Sequence, residues 1–340
     1  MGQYIWILAQ TASEAGQYMK YKYVIFQPPY DYYDITYHDV KNEANVQFIN
    51  IYPAFGSLFE KKLCLMHRSS KYNSLIKLPF QSIWNPLFFK SKFCDNSNLC
   101  FLFSAGTVYL EKYGFVSYLK RKYPTAKFVC FYQDIISSVR NYSFDDIRKI
   151  FDYVISYDLD EANHNGLIFH NTVFSNYPVP PNDSIELSDV YFVGAAKNRY
   201  NAIISMFEFL TEQGLKCDFN IIGVPQENQR YTENIHYLSY MSYVENLQHV
   251  VKTKVVLEMM QNNAVGASLR VWESIMYEKH LLTNNVGIKR LDVYNPNYMH
   301  LIETGKLNIR EWVNKDVFYD GDVKDSIKPY RLLEFIDNLF

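Results

Sequence analysis

Short apolar segments alternate with amphipathic helical segments along almost the whole chain, and this alternation restricts the fold more than any other feature. Apolar runs of this kind, flanked by helical patterns, are typical of strands that are buried on both faces. Strand–helix–strand alternation predicts an α/β fold in which helices cover a parallel sheet. The predicted strands of the first half are residues 5–9, 23–27, 46–52, 99–103, 127–132 and 152–157.

The pattern restarts after a proline-rich segment. Residues 177–184 read YPVPPNDS, and the three prolines exclude a helix and favour an extended linker. A chain of 340 residues has room for two α/β units. We therefore expect a first domain over 1–180, a second over 185–325, and a closing helix within 326–340 that begins at Pro329. The predicted strands of the second domain are residues 189–194, 217–223, a short one near Ile235, 254–260 and 280–284.

Composition narrows the function. Hydrophobic residues make up 48% of the chain and charged residues 21%, as in soluble globular proteins. The formal net charge of −2 argues against nucleic-acid binding, which usually requires a basic excess. We find no secretory leader, no apolar run of about 20 residues, and no metal-binding spacing among the five cysteines. We expect a cytoplasmic protein without a bound metal, attached at most to a membrane surface.

Two loops that follow predicted strands of the second domain carry candidate ligand-binding groups, because open parallel sheets bind ligands at the carboxyl ends of their strands. The loop at 194–199 offers Gly194 for close backbone approach and the cations Lys197 and Arg199 before a helix N-terminus, where anions bind. For this loop alone, an ordinary turn with surface cations is the preferred alternative. The second loop consists of Tyr240, Met241, Ser242 and Tyr243. It either holds a nucleotide base or only caps the next helix through its serine.

The third loop, at 261–273, is the most informative. A helix that starts near Gly266 would place that glycine, Arg270 and Glu273 on one face. The amide of Gly266 and the hydroxyl of Ser268 would then bind a diphosphate, Arg270 would neutralise it, and Glu273 would accept hydrogen bonds from ribose. Leu269 would pack this helix on the sheet. The alternative is a solvated Arg–Glu pair worth about 0.2–0.5 kcal/mol, but a glycine at the helix start favours ligand binding.

The second half resembles a known family through the segments DVYFVGAAKNRYNAIISMFEFLTEQGLKCDFNIIGV (189–224) and QNNAVGASLRVWESIMYEKHLLTNN (261–285). It is similar to the donor-binding domain of bacterial GT-B glycosyltransferases that build capsular polysaccharide or lipopolysaccharide O-antigen. The resemblance covers about residues 150–310, and the first half is similar only in the layout of its strands and helices. It implies two Rossmann-like domains that face a cleft, and a C-terminal helix that crosses back to the first domain.

The resemblance also implies an activity, the transfer of a sugar from a UDP- or GDP-linked donor to a glycan or lipid-linked glycan, with no further cofactor. By it, Glu273 matches the glutamate that holds the donor ribose. Lys197, Arg199 and Arg270 stand where cations grip the diphosphate, and residues 240–243 stand where the base is held. Many retaining members carry a second glutamate eight positions earlier, where this chain has Val265. The stereochemical outcome is therefore left open.

The first domain offers candidate acceptor-side residues. Gln133 and Asp134 follow the predicted strand 127–132, at a position that resembles the acidic site of GT-B acceptor domains. We predict that Asp134 is the base that takes the proton of the acceptor hydroxyl, and a turn-capping aspartate is the alternative. Ser104 and Gly106 lie in another strand–helix loop that is expected on the same rim.

Basic residues of the first half, in the segment 118–123 and at Lys61, Lys62, Lys90 and Lys92, could contact an anionic membrane as in relatives with lipid-linked acceptors. A solvated charged face is the better-supported alternative. Two other functions fit the same pattern: a sugar-nucleotide epimerase of this fold, and a non-catalytic subunit that binds a nucleotide sugar or a glycan.

Overall fold

The computed structural model describes residues 19–50, 56–69, 71, 73, 78–133, 144–261, 266–302 and 308–340. The strand predicted at 5–9 and the predicted base Asp134 lie outside these residues. The described residues form two parallel six-stranded sheets with helices between the strands, so the chain has two Rossmann-like α/β domains, as predicted.

The first sheet has the strand order β2-β1-β3-β4-β5-β6. Its strands are β1 (Lys22–Gln27), β2 (Val46–Asn50), β3 (Leu99–Ser104), β4 (Lys127–Tyr132), β5 (Tyr153–Ser156) and β6 (Ile168–Phe169). The sequence pattern missed β6 because two residues are too few to show a period. The helices that accompany this sheet are α1 (Asp31–Thr36), α2 (Leu58–His67), α3 (Phe115–Lys122), α4 (Phe144–Ile150) and α5 (Leu159–Asn165).

The second sheet has the order β12-β11-β10-β7-β8-β9. Its strands are β7 (Ser188–Ala195), β8 (Cys217–Ile222), β9 (Ile235–Leu238), β10 (Thr253–Glu258), β11 (His280–Thr283) and β12 (Met299–Leu301). The last of these was not predicted. The helices that follow in the chain are α6 (Tyr200–Glu212), α7 (Tyr243–Lys252), α8 (Leu269–Met276), α9 (Ile309–Trp312), α10 (Gly321–Ser326) and α11 (Pro329–Leu339).

The central strands of the first sheet are apolar on both faces because both faces of that sheet are covered. In β1, Val24 and Phe26 point into one core with α3, while Tyr23 and Ile25 point into the opposite core. Each of these four side chains is at most 2% exposed. This two-sided burial explains why the strands appear in the sequence as continuous apolar runs instead of alternating ones.

The helical segment between β3 and β4 is broken at Gly114. A 3₁₀ helix over Ala105–Tyr113 ends there, and α3 follows. Gly114 has φ 69°, a left-handed conformation that glycine adopts without the steric cost of a Cβ atom. The break turns the chain so that Phe115, Val116 and Leu119 face the core of the first sheet.

The final helix α11 packs on the first sheet even though it follows the second domain in the chain. Leu332, Leu333 and Ile336 are fully buried in the same core as Tyr23 and Ile25. The hydroxyl of Tyr23 donates to the backbone oxygen of Leu333 at 2.7 Å. The C-terminal helix thus crosses back to the first domain.

Candidate functional site

The carboxyl ends of β10 and β11 converge on the N-terminus of α8. Ser268 caps this helix: its Oγ accepts from the backbone N–H of Arg270 at 3.2 Å. The same hydroxyl donates to Glu258, the last residue of β10, and Thr283 donates to the other oxygen of that carboxylate. Burial raises the pKa of Glu258, and the two hydroxyls partly offset that effect. The predicted helix start at Gly266 was early by two residues, because the cap is Ser268.

Arg270 lies half-buried among acidic and phenolic groups. Its Nη2 donates to the backbone oxygen of Val193 in β7 at 3.1 Å. Burial by itself would lower the pKa of Arg270, but Glu273, Tyr243, Tyr191 and Glu258 together raise it. The guanidinium is therefore a stable positive charge at the carboxyl edge of the second sheet.

Glu273 is 0% exposed, so the alternative of a solvated Arg–Glu pair is wrong. Its Oε1 accepts from the Tyr243 hydroxyl at 2.6 Å and from Asn246 Nδ2 at 3.0 Å. Its Oε2 is buried and has no hydrogen-bond donor among the described residues. A buried carboxylate oxygen without a donor is costly, which makes Oε2 an open acceptor position in this site.

The second loop, residues 240–243, both caps a helix and contacts the third loop. Ser242 caps α7 by accepting from the backbone N–H of Glu245 at 3.2 Å, as the capping alternative predicts. Met241 is buried and its sulfur accepts from the Tyr191 hydroxyl. Tyr243 is buried against Glu273, whereas the Tyr240 ring is exposed. The capping role does not use the Tyr240 ring, so the predicted base-binding role is still open.

The first loop brings a second arginine to the same edge. Arg199 donates from Nε to the Ala195 oxygen at 3.2 Å, and its Nη1 donates to the Met259 oxygen just beyond β10. Burial, and to a lesser degree the positive charge of Arg270, lower the pKa of Arg199. A Cβ atom on Gly194 would lie 2.9 Å from Arg199 Nη2, which explains the small residue there.

Lys197 is exposed on the same loop. Its φ of 43° is a left-handed conformation that is unfavourable for residues other than glycine. Such strain is concentrated at ligand-binding and catalytic sites in proteins. The first and third loops together present one exposed cation, Lys197, and two half-buried ones, Arg199 and Arg270, at the carboxyl edge of the second sheet.

Residues of the first domain contact the loops at this carboxyl edge of the second sheet. Asp158, at the carboxyl end of β5, accepts at Oδ2 from the backbone N–H of Gly266 at 2.9 Å. The Tyr157 ring packs on the same glycine, where a Cβ atom would lie 2.5 Å from a ring carbon. Asp31 accepts from the backbone N–H of Tyr243 at 2.6 Å and from the Tyr240 hydroxyl at 3.0 Å. The predicted site is thus part of the contact between the two domains.

The acceptor-side residues have local roles in the first domain. Ser104 Oγ donates to the Phe26 oxygen at 3.1 Å, which links β3 to β1. Gly106 is exposed but packs tightly on Pro28, where a Cβ atom would come within 2.7 Å of the ring. The Gln133 side chain lies near the Tyr37 hydroxyl and partly offsets the effect of burial, which raises the pKa of that tyrosine. These contacts do not test whether the three residues line an acceptor site, and Asp134 lies outside the described residues.

Sequence reasoning missed four residues of this region: Asn246, Glu258, Asp31 and Asp158. An acidic residue at the end of a buried strand, as Glu258 is, was itself a signal. Asn246 lies three residues after Tyr243 on one helix face. The two aspartates could not be assigned, because no sequence pattern states which strand ends of two domains meet.

In the part of the chain that the structure describes, no group of three or more His, Cys, Asp or Glu side chains is arranged to hold a metal ion. Over the same residues, no helix is long and apolar enough to cross a membrane.

Comparisons with known proteins give structural likeness without sequence likeness. Neither a family model nor a curated protein matches the sequence. A glycosyltransferase involved in avilamycin A biosynthesis is similar in structure, with a TM-score of 0.49, 11% identity, and coverage of 94% of this chain and 96% of that one. Sucrose-phosphate synthase from Thermosynechococcus elongatus has a TM-score of 0.49, 10% identity, and coverage of 100% and 92%. The UDP-GlcNAc 2-epimerase of Methanocaldococcus jannaschii has a TM-score of 0.46, 10% identity, and coverage of 93% and 99%.

Proposed function

We propose that this chain is a glycosyltransferase that moves a sugar from a UDP- or GDP-linked donor to a hydroxyl of a glycan acceptor. The observation that carries the proposal is the buried cluster of Arg270 and Glu273 at the carboxyl edge of the second sheet. Arg270 supplies a positive charge for a diphosphate. Glu273 Oε2 lacks a donor among the described residues, and a ribose hydroxyl would provide one.

The proposed reaction forms a bond between the acceptor oxygen and the anomeric carbon while the bond from that carbon to the diphosphate breaks. Negative charge then builds on the departing diphosphate, and fixed cations at that position stabilise it. We assign this role to Arg270, Arg199 and Lys197, so that a hexose is transferred without a metal ion or other cofactor. Asp134 is the proposed base that takes the proton of the acceptor hydroxyl.

The test is nucleotide binding, measured by calorimetry with UDP and GDP, on wild type, Arg270→Lys and Arg270→Ala. Loss of a charge-assisted contact to phosphate should weaken binding at least about tenfold in Arg270→Ala. Arg270→Lys keeps the positive charge and loses only the planar pair of guanidinium donors, so its loss of nucleotide affinity should be smaller. Unchanged affinity in a folded Arg270→Ala protein would contradict the assigned role.

A turnover assay separates the proposed reaction from its alternatives. Transfer requires an acceptor, so a donor incubated alone should stay intact or hydrolyse slowly. Conversion of the donor into its epimer without an acceptor would indicate an epimerase. Tight binding with no transfer to any glycan would indicate a binding subunit.

We further propose, from the resemblance, that the reaction serves surface polysaccharide synthesis at the inner face of the cytoplasmic membrane. Helix α2 supports a peripheral membrane contact. Leu58 and Phe59 in its first turn are 78% and 74% exposed, and Lys61 and Lys62 are exposed beside them. Exposed apolar side chains flanked by lysines are typical of helices that lie in the interface of an anionic membrane.

Flotation with vesicles tests the membrane contact. We expect the protein to bind phosphatidylglycerol vesicles and not phosphatidylcholine vesicles, and the double variant Leu58→Ser/Phe59→Ser to lose this binding. Phe318→Ser is the matched control, because Phe318 is 68% exposed in the second half of the chain. Equal binding by the double variant and wild type would contradict a role for α2.

A further inference from the structure

Two carboxylates of the first domain occupy backbone N–H groups at the two loops proposed to bind the base and the diphosphate of the donor. Asp31 accepts from the N–H of Tyr243 at 2.6 Å. Asp158 accepts from the N–H of Gly266 at 2.9 Å, two residues before the cap of α8. A carboxylate oxygen and a phosphate oxygen are acceptors of the same kind at a helix N-terminus.

Hydrogen bonds within the first domain hold Asp158 in this position. Its Oδ1 caps α5 by accepting from the N–H groups of Asp160 and Glu161, each at 3.0 Å. This cap leaves Oδ2 directed at Gly266, and Asp158 is only 4% exposed. A donor phosphate therefore cannot reach the Gly266 amide while Asp158 stays in place.

The neighbouring residues dock together with Asp158. The Tyr157 ring packs on Gly266. Arg290 of the second domain forms a two-pronged ion pair with Asp160, with N–O distances of 2.6 and 3.0 Å. We call residues 157–160 the docking segment, because three of its four residues contact the second domain.

The arginines of the proposed donor site are turned away from this carboxylate. Arg270 Nη2 donates to the Val193 oxygen, and Arg199 donates to the Ala195 and Met259 oxygens. Both arginines thus bind carbonyl groups of their own domain while the first domain supplies the anion at Gly266. The two arginines and the Gly266 amide thus have partners within the protein, in an arrangement that leaves no place for a phosphate at that amide.

We propose that this arrangement is an autoinhibitory contact, in which Asp158 competes with the donor diphosphate for the Gly266 amide. The inference rests on the proposed function of the site. Donor binding then requires release of the docking segment, so the apparent affinity for nucleotide is reduced by the fraction of molecules in the docked state. Release also frees Arg270 and Arg199 to turn from the carbonyls to the phosphates.

The variant Asp158→Asn tests this competition. Asparagine caps helices about as well as aspartate, so α5 keeps its cap. The asparagine side chain has no negative charge, so it should bind the Gly266 N–H less strongly than Asp158 does. We expect UDP or GDP to bind about tenfold more tightly than to wild type, as expected for loss of one charge-assisted contact in the competing state. We also expect faster hydrogen exchange, without nucleotide, in the peptide that contains Gly266.

Two further variants sharpen the result. Asp158→Ser also caps a helix but is too short to reach Gly266, so it should behave like Asp158→Asn and guards against a folding defect of that variant. Asp160→Asn removes the exposed ion pair with Arg290 and leaves the Asp158 contact. Its effect on nucleotide affinity should be smaller.

The outcomes separate this inference from the function on which it rests. Equal or weaker nucleotide binding by both Asp158 variants, relative to wild type, overturns the competition and leaves the donor site standing. If neither wild type nor the variants bind UDP or GDP, the donor site itself is wrong, and the competition fails with it.

Discussion

The hydroxyl of Tyr243 donates to Glu273 Oε1 at 2.6 Å, and this bond joins the N-terminus of α7 to the middle of α8. Both side chains are buried, and Asn246 supplies the second donor to the same oxygen at 3.0 Å. Asn246 in turn accepts from the Tyr191 hydroxyl at 3.1 Å. The carboxylate on which the proposed ribose contact depends is therefore positioned by a polar chain that starts in the second sheet.

Tyr243→Phe should destabilise the fold by about 1–3 kcal/mol, because it leaves a buried carboxylate with one donor fewer. Urea denaturation measures the difference in unfolding free energy. Tyr240→Phe is the matched control: its hydroxyl bonds Asp31 at the surface, and its loss should stay below about 1 kcal/mol. Equal losses of unfolding free energy in the two variants would show that the Tyr243–Glu273 hydrogen bond stabilises the fold no more than the exposed one.

Gly266→Ala should loosen the contact between the domains. The new Cβ would lie 2.5 Å from a Tyr157 ring carbon, so the ring or the backbone must shift, at a cost of about 1–3 kcal/mol. Thermal unfolding measures the effect as a lower Tm. Gly321→Ala is the control, since a Cβ there meets nothing within 4 Å and the residue lies in helix α10. That substitution should be neutral or slightly stabilising. A Tm for Gly266→Ala that matches the control would contradict the close packing on Tyr157.

Acidification should destabilise the protein through His170. Burial lowers the pKa of this imidazole, and its bond to the Asn171 oxygen only partly offsets the effect. The unfolded chain, with a His pKa of about 6.5, then binds a proton more readily than the folded protein. The contribution of neutral His170 to stability is therefore fully present above about pH 6.5. It is lost as the pH falls from there through the lower pKa of the folded protein.

His170→Phe removes the titrating group while keeping a ring between Phe131 and Phe335, whose centroids lie 6.3 and 4.8 Å away. We expect the unfolding free energy of this variant to change less between pH 7 and 5, as measured by urea denaturation. Substitution of the exposed His236 by Gln should leave the pH dependence as in wild type. An equal or steeper pH dependence in His170→Phe would contradict a destabilising effect of protonating His170.

Where a segment follows one rule along its length, the sequence predicted the structure well. The runs at 99–103 and 127–132 are strands because both faces of the sheet are covered, and all but the first residue of the second run are buried. Helix α7 begins at Tyr243, directly after Ser242, the serine that the sequence offered as a cap. Short strands such as Met299–Leu301 were missed, because three residues carry no usable period.

The candidate site was predictable only in part. Placing Arg270 and Glu273 on one helix required only the period of a helix, and both residues lie in α8, whereas Gly266 precedes its cap. The sequence could not reveal that a carboxylate already accepts from the Gly266 amide, since Asp158 is 108 positions away in the chain. Nor could it show that Glu273 is fully buried, because the burial depends on how α7 covers α8.

The position of α11 also has a consequence for how the protein is made. The first sheet is built from residues 22–169, yet Leu332, Leu333 and Ile336 complete one of its cores. A ribosome therefore releases the whole second domain before the first can close that core. The second domain, which is continuous in sequence, can fold during translation, whereas the first keeps an uncovered apolar face until α11 has left the ribosome.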